Sequence, residues 1–342
     1  ILPHTIADVA WTAPPLINAY AATGSITAVF VQVFNIALGV AIYTPFVFAY
    51  ERMKENSFKT TYNELIRIAI HGENEVNKNI LLAREDSIGA AARMFANDLK
   101  LALDARDLYL EYQPQVSVLT GKVYGVEALL RWKHKQYGMV PPPLTVTVAE
   151  DSDMINDLGY WVLDEATSQL AEWKKAGIDD VRVSVNVSVK QLADTSLPEK
   201  IALLLTNKGL QPNDLEIEVT ESIALSANTT LNETLQQIHK IGVNIAVDDF
   251  GMGHSSLLYL RQFPVDVLKL DASLSKDVLI DPNIVEIIAT IEKMCRTLNI
   301  EMIVEHVETA PQLEALVKLG AANIQGYFFS KPINAVKLKE KL

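Results

Sequence analysis

Two aspartates, Asp248 and Asp249, stand side by side in NIAVDDFG, where a short apolar run stops and a loop with glycines begins. Polar residues close other apolar runs in the same way. Asn186 ends VRVSVN, Glu218 ends LEIE, Lys269 lies at the end of VDVLK, Glu305 ends EMIVE and Gln325 follows ANI. Glu127, within VEALLRW, can join them. If these residues share one place, Glu127, Glu218, Asp248, Asp249 and Glu305 repel one another with Lys269 alone to offset them. Several would then take up protons unless a cation sat among them. A divalent metal is the economical answer, and oxygen donors without histidine or cysteine favour Mg²⁺ or Mn²⁺ over Zn²⁺. Side-chain alternation breaks down at a strand end, so both aspartates can face one rim, one bridging two ions and the other holding the second. Two ions about 3.5–4 Å apart are a standard device for phosphodiester hydrolysis. The plainer reading, solvated acids at strand ends, sits poorly with so many polar strand ends in succession. The DFG of Asp249 to Gly251 also occurs in protein kinases, but no HRD and no glycine-rich kinase loop accompany it.

The elements that must position these residues are legible as alternating strands and helices. Strands are predicted at LYLEYQPQV, VYGVEALLRW, VRVSVNVS, LEIEVTE, NIAVDDF, VDVLKLD, EMIVEHVE and ANIQGYFF. Helical periodicity appears between most of them, as in WVLDEATSQLAEWKKAG, PEKIALLLTNKG, TLQQIHKIG, IVEIIATIEKMCRTLN and PQLEALVKLG. This pattern predicts an α/β fold, a TIM-like (β/α)8 barrel, in which strand carboxyl ends converge on one rim. A short Thr120-Gly121 turn joins the first two strands and makes the first antiparallel to the second. A doubly wound open sheet is the alternative, weakened by the lack of GxGxxG or GxxxxGK[ST] after any strand.

The 342 residues carry a net charge of -12, which argues against a phosphate-tracking DNA or RNA partner. Cys295, the one cysteine, lies in the apolar pattern IIATIEKMCRTL and reads as a buried core residue; with no disulfide possible, a reducing compartment is expected. Between Asp8 and Glu51 no charged side chain occurs, and Ser25 to Tyr50 exceeds the ~20 residues a bilayer-spanning helix needs. A transmembrane helix is expected there. Arg52, Lys54 and Lys59 favour a cytoplasmic side for the domain that follows, which the resemblances given below would make the cytoplasmic face of a bacterial inner membrane. Residues 57–105 are charged and helix-prone and read as a helical linker, with the catalytic domain at 106–342.

The opening stretch VAWTAPPLINAYAATGSITAVFVQVFNIALGVAIYTPF resembles the carboxyl-terminal end of the membrane-embedded IIC component of lactose/cellobiose-type phosphotransferase permeases, over residues 1–56. It is only the tail of such a permease, so a complete sugar pathway is not expected in this chain. A second resemblance rests on YQP (Tyr112 to Pro114), EALLRW (Glu127 to Trp132), VNVS (Val185 to Ser188), EVTES (Glu218 to Ser222), DDFGMGHSSL (Asp248 to Leu257), LKLD (Leu268 to Asp271), VEHVET (Val304 to Thr309) and QGYFFSKP (Gln325 to Pro332). In this order and spacing they resemble the EAL-domain cyclic di-GMP phosphodiesterases of bacteria.

That resemblance implies hydrolysis of one phosphodiester of cyclic di-GMP to linear pGpG. It implies that Glu127, Asn186, Glu218 and Asp248 hold one metal ion, and Asp248 and Asp249 a second. Lys269 would orient the attacking water, with Glu305 supporting the metal-water network. Gln113, Arg131, Glu308 and Gln325 would grip the substrate, and Glu221 would anchor the loop after Asp249. Two Mg²⁺ or Mn²⁺ ions, inhibition by Ca²⁺ and a homodimer formed through this domain are expected with it. Met252, His254 and His306 replace the family's usual Thr, Tyr and Gly, and LTVTVAE (Leu144 to Glu150) replaces a FIPLAE-like segment. Those departures bear on activity and its regulation, and leave a binding-only receptor as the alternative to an enzyme.

Overall fold

A computed structural model describes residues 86–105, 107–135, 138–224, 229–251 and 263–342. The expected transmembrane helix, the permease-like segment, the linker up to residue 85, and Met252 and His254 lie outside these residues. Among the described residues no helix is long and apolar enough to cross a membrane.

Nine strands are seen in the described residues: β1 (Leu108–Ser117), β2 (Val123–His134), β3 (Gly138–Val140), β4 (Arg182–Asn186), β5 (Leu215–Thr220), β6 (Asn244–Phe250), β7 (Val267–Leu270), β8 (Glu301–Val304) and β9 (Asn323–Gln325). The sheet runs β1-β9-β8-β7-β6-β5-β4-β2-β3, and β1 also pairs with β2, so the eight strands other than β3 close into a barrel. β1 is antiparallel to both its neighbours, β2 and β9, while β2 and β4 through β9 run parallel. This is the expected barrel with its inverted first strand. β3 is a short addition pairing antiparallel with the far end of β2.

The parallel strands read as near-continuous apolar runs because helices cover their outer face. Val183, Val185, Ile217, Val247, Leu268, Val304 and Ile324 belong to the main core, together with Leu163 and Leu170 of helix Ile155–Lys175 and Ile288 of helix Pro282–Leu298. The latter helix starts at Asp281, whose side chain accepts from Asn283 N, has proline in its first turn, and ends at Asn299 in the left-handed conformation. Cys295 is buried on its inner side. Helix Asp86–Ala105 joins the same unit: Phe95 is buried edge-on against Trp132 at 5.8 Å, and His134 Nε2 lies 3.1 Å from Asp98 Oδ2.

Inside the barrel a separate apolar cluster, Ala246, Val267 and Ile303, forms a thin layer. Strand alternation puts polar side chains above it, at the carboxyl rim, and below it.

Candidate active site

Seven strands, β2 and β4 through β9, deliver polar side chains to one point, with Lys269 at its centre. Its Nζ lies 2.8 Å from Glu218 Oε2, 2.9 Å from Glu305 Oε1, 3.3 Å from Glu127 Oε2 and 3.4 Å from Asp248 Oδ1, and the side chain is wholly buried. Two amides complete the cluster. Asn186 Nδ2 donates to Glu127 Oε1 at 2.9 Å and to Glu218 Oε2 at 3.2 Å, and Gln325 Nε2 donates to Glu127 Oε2 at 2.6 Å. Residues far apart in the chain therefore share one site, as strand ends of a barrel allow.

The charges do not balance. Burial alone would lower the Lys269 pKa, but Asp248, Glu127, Glu218 and Glu305 outweigh it and hold the ammonium well above the ordinary lysine range. Burial would raise Glu127 too, yet Lys269 and the donated bonds from Gln325 and Asn186 prevail and hold it below the ordinary carboxylate value. The remaining acids go the other way. Burial, then Glu127, pushes Glu218 well up; burial, opposed by Lys269 and reinforced by Asp248, pushes Glu305 up to about 8; burial and then Asp248 raise Asp249. One ammonium is too little positive charge for this set.

The donor set fits a divalent cation. Glu218 Oε1 and Asp248 Oδ1 are buried without a hydrogen-bond partner, Asp248 Oδ1 having only its long ion pair to Lys269. Orphaned carboxylate oxygens beside an amide are the donors that Mg²⁺ and Mn²⁺ select. Among the described residues, however, no three carboxylate, imidazole or thiol groups already form a cage around a point. Lys269 draws the carboxylates inward instead, which qualifies the expectation that a metal must be what quenches them.

The other expected site residues fall into two groups. Gln113 is buried beside the cluster, accepting from Gln325 Nε2 at 3.3 Å and donating to Ser330 O at 3.4 Å. Glu221 Oε2 accepts from Gly251 N at 3.3 Å, joining the strand-end helix after β5 to the start of the loop after Asp249. Arg131 stands apart: four residues beyond Glu127 on an extended strand is about 13 Å, and its Nε is held by Glu111 Oε2 at 2.8 Å. Glu308 is exposed and makes no ion pair with the cluster. Asp249 is half-buried with φ at 57°, and His306 is exposed with φ at 56°. Aspartate and histidine enter the left-handed region more readily than most residues. His306 Nδ1 lies 3.8 Å from Glu305 Oε2, so the departure from glycine adds an imidazole at the rim.

The polar layer below the apolar plug was not anticipated. Arg182 Nε lies 3.2 Å from Glu216 Oε2, its Nη2 2.9 Å from Glu301 Oε1, and its guanidinium sits over the Tyr124 ring. Each lies at even spacing before a rim residue of its own strand, Arg182 before Asn186, Glu216 before Glu218 and Glu301 before Glu305; that offset is the signal in the sequence. Burial pushes Glu216 up to about 7, with Arg182 opposing and Glu301 adding to it. The folded state therefore binds a proton that the unfolded state releases at the ordinary carboxylate value. Glu216's contribution to stability is full below that value and is lost as pH rises through about 7. In chelator, the melting temperature should fall between about pH 5 and pH 8, and Glu216→Gln should fall less over the same interval. Parallel pH profiles for the two proteins would contradict this assignment.

Comparison with known proteins agrees with this geometry. A family model described as EAL domain matches residues 96–332. The chain is 38% identical over 257 residues to the bifunctional diguanylate cyclase/cyclic di-GMP phosphodiesterase MucR of Pseudomonas aeruginosa, covering 74% of this chain and 38% of that protein. It is 34% identical over 239 residues to the cyclic di-GMP phosphodiesterase PdeR of Escherichia coli, covering 70% of this chain and 36% of PdeR. The chain thus spans well under half the length of these curated relatives. Among solved structures, the PaMucR phosphodiesterase in complex with c-di-GMP superposes with a TM-score of 0.68 at 39% identity, over 72% of this chain and 99% of that one. The FimX EAL domain of Pseudomonas aeruginosa bound to c-di-GMP superposes with a TM-score of 0.64 at 26% identity, over 69% and 95%.

Proposed function

The chain belongs to the EAL-domain family, and from that premise we propose that it is a metal-dependent phosphodiesterase that opens cyclic di-GMP to linear pGpG. The observation that carries the reading is the cluster itself: Lys269 within ion-pair distance of Glu127, Glu218, Asp248 and Glu305, with Asn186 and Gln325 holding Glu127 from two sides. Relatives of this chain named as cyclic di-GMP phosphodiesterases and neighbours bound to c-di-GMP supply the substrate class.

Two Mg²⁺ or Mn²⁺ ions, taken up by Glu127, Asn186, Glu218 and Asp248 and by Asp248 and Asp249, would polarise the phosphodiester and make a water nucleophilic near neutral pH. The chain's own groups do the rest. Lys269 holds the attacking water by donating a hydrogen bond and offsets charge gathering on the phosphoryl oxygens. Glu305, 2.9 Å from Lys269 Nζ, would take the water's proton once bound cations lower its pKa and leave it ionised. The water oxygen would bond to phosphorus as the P–O3′ bond breaks, its proton passing to Glu305 and O3′ taking one up from solvent, leaving the 5′-phosphate of pGpG. Gln113 and Gln325 would position the substrate near the cluster, and Arg131, further along β2, and Glu308 would grip it farther out on the rim. Ca²⁺, which prefers longer and more numerous oxygen contacts, should inhibit.

The segment Ser25 to Tyr50 would tether this domain to the inner membrane from the cytoplasmic side, and a homodimer through the domain completes the proposal. A receptor that binds cyclic di-GMP without cleaving it is the second reading, favoured by one observation: Lys269 already satisfies several of the carboxylates. Incubation of purified protein with cyclic di-GMP and Mn²⁺, with products separated by chromatography, distinguishes the two. Linear pGpG that disappears in EDTA is expected. Tight binding with unchanged substrate across metals and pH would favour the receptor.

A further inference from the structure

We propose that Gln115 is a positioning residue of this site: by donating to Gln325 Oε1 it fixes the Gln325 amide with its NH₂ turned toward Glu127. The inference rests on the reading of Glu127 as a metal-holding carboxylate.

β1 is wedged between β9 and β2, and Gln115 sits opposite Gln325 on one side and Gly125 on the other. Its side chain is fully buried, and its Nε2 donates to Gln325 Oε1 at 3.1 Å. Gln325 in turn sends its Nε2 to Glu127 Oε2 at 2.6 Å and to Gln113 Oε1 at 3.3 Å. A glutamine amide has two nearly isosteric orientations with opposite hydrogen-bonding character. Reversed, Gln325 would aim an oxygen at an ionised carboxylate. A donor on the far side of Gln325 selects the useful orientation, and Gln115 is that donor.

Two features show that the space is kept for this amide. A Cβ at Gly125 would lie 2.4 Å from Gln115 Oε1, so the facing position has no side chain. Gln115 Oε1 is itself buried with no hydrogen-bond partner. A buried unsatisfied acceptor is a cost to folding that an apolar residue of similar size would avoid. A glutamine there is therefore explained by its donor end. Groups behind a metal ligand commonly tune it in this way, at ten- to a hundredfold in affinity.

The test is a double-mutant cycle on the purified full chain, read by Mn²⁺ affinity from EPR of free Mn²⁺ and by melting temperature without metal. Gln115→Leu should weaken Mn²⁺ binding about tenfold while leaving the melting temperature unchanged or raised. Gln325→Leu should weaken it at least as much, and the double variant should bind no worse than Gln325→Leu alone. Unchanged affinity in Gln115→Leu, or effects that add in the double variant, would overturn the proposal. Gln115→Met substitutes in the same cycle if the leucine variant does not fold. Non-additive Mn²⁺ binding without pGpG formation would sink the phosphodiesterase reading and leave Gln115's role standing; turnover with an additive cycle does the reverse. A wild type that binds no Mn²⁺ overturns both.

Discussion

Lys269→Met is expected to remove turnover and destabilise the barrel together. The side chain is fully buried, and its ammonium is the positive group shared by Glu127, Glu218, Asp248 and Glu305. Methionine has similar length and no charge, so the loss is electrostatic rather than a cavity. Removing one partner from a buried ionic cluster typically costs about 3–5 kcal/mol, because the other charges stay buried without compensation. That loss is moderated because Glu218 and Glu305, both already raised, carry little of the uncompensated charge. Turnover should fall by roughly 10³-fold or more, the scale of losing a preorganised donor at the reacting group. Urea unfolding in EDTA and initial rates at saturating Mn²⁺ check the two halves. A variant as stable as the wild type would mean that Lys269 is not the internal counter-charge, and one retaining a tenth of its rate that it is not a catalytic residue.

Glu127→Gln should have a comparable effect on rate with a smaller cost to the fold than Lys269→Met. Glu127 is held ionised by Lys269, Gln325 and Asn186 against the pull of burial, so the change removes a real negative charge. Its oxygens accept from Asn186 at 2.9 Å and Gln325 at 2.6 Å, and an amide in the same place would turn an NH₂ toward one of those donors. Mn²⁺ affinity should fall ten- to a hundredfold, and turnover by about 10³-fold, of the order found on removing one preorganised group. Stability in EDTA should fall modestly, since a carboxylate that the fold holds ionised gives up its ion pair to Lys269 and a donated hydrogen bond. Mn²⁺ titration with rate measurements at saturating metal separates the binding loss from the catalytic one. Wild-type Mn²⁺ affinity in this variant would remove Glu127 from the metal-holding set.

Much of the barrel was readable because its parallel strands are short apolar runs closed by polar residues, and those closing residues are the ones the rim brings together. Other parts were hidden for physical reasons. Leu144 to Val148, LTVTV, is rich in β-branched residues and yet lies in helix Pro142–Asp151. Tertiary packing overrides propensity there, with Leu144, Thr145, Val148 and Ala149 buried against neighbouring elements. β3 is too short to leave a pattern. Arg182, Glu216 and Glu301 looked like ordinary alternation in VRVSVN, LEIE and EMIVE, because a strand buried on both faces does not mark which polar residue points inward. Gln115 escaped notice for the same reason, two residues before the end of β1. Lys269 was visible as a residue but not as the hub, since the sequence cannot tell a fifth member of a cluster from its centre.

The most direct measurement is diffraction from crystals soaked in Mn²⁺, with data collected at the manganese edge. Anomalous density among Glu127, Asn186, Glu218 and Asp248, with a second peak toward Asp249, is the predicted result. A map without density there at saturating Mn²⁺, with Lys269 still ion-paired to all four carboxylates, would contradict a metal-dependent hydrolytic centre at this rim.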